Sequence, residues 1–156
     1  MRVTSMVAAV ALVLAACGGE KKADNTPAAA TDSAAATAPA AAAPATGTTH
    51  DVDMTMVDGQ PRFVPETLTV KPGDAVRFVN KEGGPHNIQF WADSLPAGGA
   101  AAISIDKQLA PMESEMMVDQ GATFTVTFAA NAPAGSYGFT CVPHGAMGMH
   151  GKITVQ

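Results

Sequence analysis

Positive charge is scarce in this chain: 9 Lys and Arg stand against 14 Asp and Glu, a formal net charge of -5 over 156 residues. A nucleic-acid partner would need a basic face to neutralise phosphate, so none is expected. No apolar run reaches the roughly 20 residues that a membrane-spanning helix needs; the stretch from Met6 to Ala16 is too short. Cysteine is also scarce, with Cys17 and Cys141 alone, so one disulfide is the most the chain could form by itself. The apolar fraction of 47% overstates the core, because much of it is alanine concentrated near the start. The length fits one domain of roughly 100 residues plus an appendage.

What is present begins with an export signal. Met1-Arg2 is positive and the run from Met6 to Ala16 suits a signal-peptide core. The run ends in Leu14-Ala15-Ala16-Cys17-Gly18-Gly19, which resembles a bacterial lipobox. Residues 1–16 are therefore read as a lipoprotein signal peptide cleaved before Cys17, and Cys17 as the lipidated residue; the alternative is an ordinary signal peptide with an incidental cysteine. An acylated Cys17 cannot join a disulfide. Cys141 is then a lone thiol in an exported protein, exposed to oxidation unless something occupies it. The expected address is the periplasmic or cell-surface face of a membrane. Gly18, where inner-membrane retention is associated with aspartate, favours the outer membrane.

Residues 17–51 read as a disordered tether. Ala, Thr, Pro and Ser dominate, Pro27, Pro39 and Pro44 interrupt any helix, and no large apolar residue offers anything to bury. As a flexible coil of about 34 residues it would reach roughly 30 Å. His50 falls in this stretch and reads as a solvated residue.

From Val52 the texture changes to short strands. Thr123-Phe124-Thr125-Val126-Thr127-Phe128 alternates with period two, placing Phe124, Val126 and Phe128 on one face. Val52 to Val57, Ala75 to Asn80, Asn87 to Phe90, Ser136 to Thr140 and Lys152 to Val155 read as further strands, with turns at Asp58-Gly59 and Lys71-Pro72-Gly73-Asp74. Residues 52–156 are thus expected to form an all-β antiparallel sandwich or barrel. Ala92 to Gln120 is less regular, with room for a brief helix or long loops.

The chemistry gathers between the last two strands, in Cys141-Val142-Pro143-His144-Gly145-Ala146-Met147-Gly148-Met149. Nine residues bring together a thiolate, an imidazole and a thioether. Soft sulfur donors with imidazole suit copper, and two His with one Cys and a weak axial Met form a site that cycles between Cu(I) and Cu(II). Structural zinc would want a fourth Cys or His. The second imidazole must come from elsewhere, and His86 in Gly83-Gly84-Pro85-His86-Asn87 is the natural candidate.

Pro85-His86-Asn87-Ile88-Gln89-Phe90, Tyr137-Gly138-Phe139-Thr140-Cys141-Val142-Pro143-His144 and Gly151-Lys152-Ile153-Thr154-Val155 resemble the cupredoxin family, in its plastocyanin and pseudoazurin branches. Phe63 to Leu68 and Val70 to Val76 resemble its first strands. The resemblance implies a Greek-key β-sandwich, a blue (type 1) copper site and single-electron transfer between redox partners such as a cytochrome or a copper enzyme, by a monomer. It implies that one copper ion is held by His86, Cys141, His144 and Met149. Met147 is the alternative axial ligand, since shorter-looped relatives place theirs three residues after the histidine. Pro143 has no N–H to give the Cys141 sulfur. Pro85, Gly145, Ala146 and Met147 would surround the His144 edge as a docking patch.

Three positions depart from those relatives. Val142 stands where many carry Ser or Thr, which puts in doubt the tie between the cysteine loop and Asn87. Thr140 replaces the tyrosine of plant plastocyanins, so a second electron port is not expected there. Phe90 to Pro96 occupies the segment that is acidic in plants, and Asp93 alone remains. Two other functions compete. A copper carrier or buffer could recruit Met54, Met56, Met112, Met116, Met117 and Met147, although methionine is also common core filler. An enzyme would use Cys141 as a nucleophile beside His144, but no orienting acid or second copper motif is evident.

Overall fold

The computed structural model describes residues 45–156. The expected signal peptide, Cys17 and the expected tether as far as residue 44 lie outside the described residues.

Among the described residues eleven strands form two sheets. They are β1 (Thr49–Val57), β2 (Gln60–Val64), β3 (Thr67–Val70), β4 (Ala75–Asn80), β5 (Gln89–Phe90), β6 (Ile103–Ile105), β7 (Gln108–Ala110), β8 (Glu113–Ser114), β9 (Thr123–Phe128), β10 (Gly135–Thr140) and β11 (His150–Val155). One sheet runs β2-β1-β4-β9-β6 and the other β3-β11-β10-β5-β8-β7. The architecture is a Greek-key β-sandwich. No helix among the described residues is long and apolar enough to cross a membrane.

Alternation builds the interior. Phe124, Val126 and Phe128 of β9, Val52 and Met54 of β1 and Phe78 of β4 turn into the sandwich and are fully buried. Phe139 of β10 meets Phe63 at 4.9 Å, Phe78 at 5.4 Å and Phe90 at 5.7 Å between ring centroids, all edge-on. Because these rings come from both sheets, the cluster fastens one to the other. Each buried Phe contributes about 1.5–3 kcal/mol through lost apolar surface. Asp58 and Gly59 both take positive φ, +50° and +75°, which closes the β1–β2 hairpin on a two-residue turn.

Four expectations are corrected. The sandwich is not wholly antiparallel: β1 pairs with β4, and β3 with β11, in parallel. Strand β1 begins at Thr49, so Thr49, His50 and Asp51, assigned above to the tether, pair with Ala75, Val76 and Arg77. His50 is no solvated linker residue; its Nε2 lies 3.0 Å from Asp74 Oδ2. The strand expected over Asn87 to Phe90 shrinks to Gln89–Phe90, with His86 in an isolated bridge to Met117. The irregular stretch after Ala92 holds two single-turn 3₁₀ helices, Ala92–Ser94 and Ala100–Ala102, and the short strands β6, β7 and β8.

The register also fixes polarity. Thr49 opposes Ala75 and Met54 opposes Asn80, and the chain leaves Asn80 for the loop that carries His86. The N-terminal side of β1 therefore enters at the end of the sandwich away from His86, about 20 Å off for six residues of strand.

Candidate metal centre

His86 is held at the backbone before its side chain is considered. Its N–H donates to the Met117 carbonyl (2.9 Å) and its carbonyl accepts from the Met117 N–H (2.7 Å). The preceding turn needs glycine at Gly83, where φ is +99° and a Cβ would sit 2.8 Å from the Met56 sulfur. That turn brings the Glu82 carbonyl within 3.0 Å of His86 Nε2. A carbonyl can only accept, so Nε2 carries the proton and Nδ1 of the neutral ring presents a bare lone pair. His86 is completely buried. Burial holds its pKa below the usual imidazole value, with the Glu82 hydrogen bond working the other way.

The loop after β10 is fixed in the same manner. Cys141 N–H donates to the Met149 carbonyl (3.0 Å) and Met149 N–H to the His144 carbonyl (3.2 Å). His144 N–H donates to the Cys141 carbonyl (3.2 Å). Gly145–Met147 form a 3₁₀ turn capped by Gly148 at φ +80°. Thr140 Oγ1 donates to the Met149 carbonyl at 3.2 Å, and His150 Nδ1 lies 3.0 Å from that hydroxyl. Arg62 reaches across from β2 and donates to the Met147 carbonyl at 3.0 Å.

These two loops bring three donor atoms together. Cys141 Sγ lies 3.6 Å from His86 Nδ1 and 3.5 Å from His144 Nδ1, and the two nitrogens are 3.2 Å apart. All ligand atoms of the trio fall within 4.8 Å of one another. Cys141 is fully buried and is the free cysteine among the described residues. Burial pushes its thiol pKa up, while the backbone amides of Asn87 and His144 pull it down. A bare Nδ1 beside a second ring nitrogen and a sulfur, inside the protein, is a cluster of donor atoms at the spacing of metal ligands. One thiolate and two imidazoles at this spacing suit copper or zinc, and a nearby thioether tips the chemistry toward copper.

Every residue of the sequence-based site lies at this end of the sandwich. Met149 is buried and joined to Cys141 and His144 through the backbone, whereas Met147 is 46% exposed. Pro85, Ala146 and Met147 are exposed around a half-buried His144, and Gly145 is half-buried. The doubt over Asn87 is resolved: Val142 N–H donates to Asn87 Oδ1 at 2.9 Å. The tie needs no hydroxyl, because it runs through the backbone of residue 142. Of the remaining methionines, Met54 and Met117 are buried, Met56 and Met112 half-buried and Met116 exposed. His150 is packed, its ring 5.2 Å from that of Trp91. Sequence reasoning missed Arg62, the Glu82 carbonyl and Glu113, whose Oε1 accepts from Asn87 Nδ2 at 3.0 Å. None lies within a recognisable ligand spacing, and a carbonyl leaves no residue-type signal.

Comparison with known proteins agrees with this chemistry. Residues 50–156 match the family described as copper binding proteins, plastocyanin/azurin family. The plastocyanin of Nostoc punctiforme is 39% identical over 112 residues, covering 72% of this chain and 77% of the relative. The chloroplastic plastocyanin of Chlamydomonas reinhardtii is 48% identical over 100 residues, 63% of this chain and 61% of the relative. Among solved structures, oxidized plastocyanin from Dryopteris crassirhizoma aligns with a TM-score of 0.52 at 28% identity, over 68% of this chain and 99% of that one. On the strength of a match over residues 50–156, more than half of its length, the chain belongs to the copper-binding plastocyanin/azurin family.

Proposed function

We propose that this protein passes single electrons between redox proteins on the outer side of a membrane, holding one copper ion through His86 Nδ1, Cys141 Sγ, His144 Nδ1 and the Met149 thioether. Its class is that of the copper electron carriers, not of enzymes. The observation that carries the reading is the convergence of a buried thiol and two imidazole nitrogens within 4.8 Å on backbone-locked loops. A bound copper ion would supply reversible one-electron chemistry between Cu(I) and Cu(II).

The chain's own residues do the rest. The hydrogen bonds at His86, Cys141 and Met149 hold the donors in place before metal arrives, so little rearrangement accompanies a change of charge. Burial supports Met149 as the axial donor, and exposure supports Met147 as a surface residue. Pro143 withholds a second N–H from the Cys141 sulfur, which leaves more charge there and favours the oxidised state. His144 is the ligand nearest solvent, and Pro85, Gly145, Ala146 and Met147 give its surroundings an apolar docking character. A partner such as a cytochrome or a copper enzyme would meet the monomer there. A lipid on Cys17 would hold the protein to the membrane, the outer one in a diderm host. The entry of β1 at the far end would then leave the His144 face free.

A copper carrier is the competing function, because Met116 is exposed and Met112 half-buried nearby in sequence. Anaerobic Cu(I) titration together with a redox titration separates the two. Electron transfer predicts one copper per chain and a reversible one-electron wave, both unchanged when Met112 and Met116 become Leu. Additional Cu(I), lost in that double variant, would establish carriage instead.

A further inference from the structure

We infer that Glu113 is a positioning residue for the cysteine loop, acting through Asn87. Asn87 is completely buried and its carboxamide is used at both ends. The Val142 N–H can only donate, so the group 2.9 Å from it must be the Asn87 oxygen. The Asn87 nitrogen therefore points the opposite way and needs an acceptor. Glu113 Oε1 provides one at 3.0 Å, and Gln89 Nε2 donates to Oε2 of the same carboxylate at 3.2 Å.

The placement of Glu113 is firm. Strand β8 pairs with β5 through Gln89 and Glu113. The Ser114 N–H donates to the Ile88 carbonyl at 2.9 Å, and the Ile88 N–H donates to Ser114 Oγ at 3.0 Å. Without the Glu113 acceptor, the buried Asn87 nitrogen would be left unsatisfied at a cost comparable to a lost hydrogen bond. Its amide would then be free to turn, and the turned form sets NH₂ against the Val142 N–H. Glu113 selects the orientation of Asn87, and Asn87 holds the residue next to Cys141. Val142, whose side chain offers no hydrogen bond, makes that route the connection between β8 and the thiol loop.

The hydrogen-bond relay is a property of the metal-free chain; only its consequence for copper rests on the proposed function. Amide hydrogen exchange is measured by NMR on the metal-free full chain and on Glu113→Ala and Glu113→Gln. Glu113→Ala should lower protection at the Val142 N–H roughly tenfold, with the Phe124 and Val126 amides of β9 unchanged. Glu113→Gln keeps an oxygen for Asn87 and should restore protection. Copper affinity, by competition with a chelator, should fall about 10- to 100-fold in the Ala variant and recover in the Gln variant. Unchanged protection at Val142, an equal loss at Val142 and β9, failure of Gln to rescue, or lost protection with undiminished affinity would each overturn the role. Loss of copper binding by the parent with the exchange pattern intact would count against the proposed function and leave the relay standing.

Discussion

Burial leaves the Cys141 thiol harder to ionise than a free cysteine, and a metal must displace its proton to bind sulfur. His86, held below the usual imidazole value by burial, is already neutral at pH 7 and has no proton to release there. The raised thiol pKa means that proton and metal compete throughout the neutral range. Cu(I) affinity at this sulfur should therefore climb about tenfold per pH unit from pH 7 to 8, measured by chelator competition. A flat profile would mean that the thiol is ionised before metal arrives. The two methionines give a second check. Met149→Ala should shift the visible spectrum of the copper-loaded protein and Met147→Ala should leave it unaltered, since Met149 is buried and Met147 is 46% exposed. Pro143→Ala adds an N–H beside the Cys141 sulfur and should raise the reduction potential, read by voltammetry. At this scale the sequence was informative wherever ligands share one loop, as from Cys141 to Met149. His86 was found through its Gly-Gly-Pro setting. Glu113 was not, because 26 residues separate it from Asn87 and its contact depends on the β5–β8 pairing.

Among the elements, β10 and β11 deliver the ligand loop, and their pairing depends on one small residue. Gly151 opposes Phe139, and a Cβ there would come within 2.6 Å of Phe139 Cε2. Gly151→Ala should cost about 1–3 kcal/mol of stability by overpacking, seen as a lower midpoint in denaturant. At the opposite end, Asp74 joins the start of β1 to the β3–β4 turn. Its carboxylate accepts the backbone N–H of Lys71 at 3.0 Å and of Thr48 at 2.8 Å, and meets His50 Nε2 at 3.0 Å. The Lys71 N–H, then His50 and Thr48, hold its pKa below the ordinary carboxyl value of 3.8, against the opposing effect of burial. A depressed carboxyl pKa stabilises the fold above the unfolded value and loses that effect as pH falls through the folded one. Asp74→Ala should thus cost about 2 kcal/mol at pH 7 by removing the charged acceptor that these three hydrogen bonds share. The gap to the parent should narrow below pH 3.8. Strand β9 was legible to the residue because alternation over six positions is a strong signal, and β4 because its apolar run follows a clear turn at Lys71-Pro72-Gly73-Asp74. Strands β6, β7 and β8 have two or three residues each, too few to alternate. The parallel pairs were hidden because they join strands distant in sequence.

At the scale of the molecule, the start of β1 and the donor cluster lie at opposite ends of the sandwich. Rings from both sheets converge on Phe139, two residues before Cys141, so the thiol loop leaves directly from the aromatic cluster that joins the sheets. The chain enters at the end away from His86. The pairing of the two loops was legible because one candidate donor set, Cys141, His144 and Met149 with a distant His86, makes sense only in a fold that brings those loops together. The most direct measurement is the visible spectrum of the full chain as Cu(II) is added. The account predicts an intense blue band from sulfur-to-copper charge transfer, saturating at one copper per chain and absent in Cys141→Ser. A protein that binds Cu(II) and stays colourless, or a Cys141→Ser variant that turns the same blue, would contradict it.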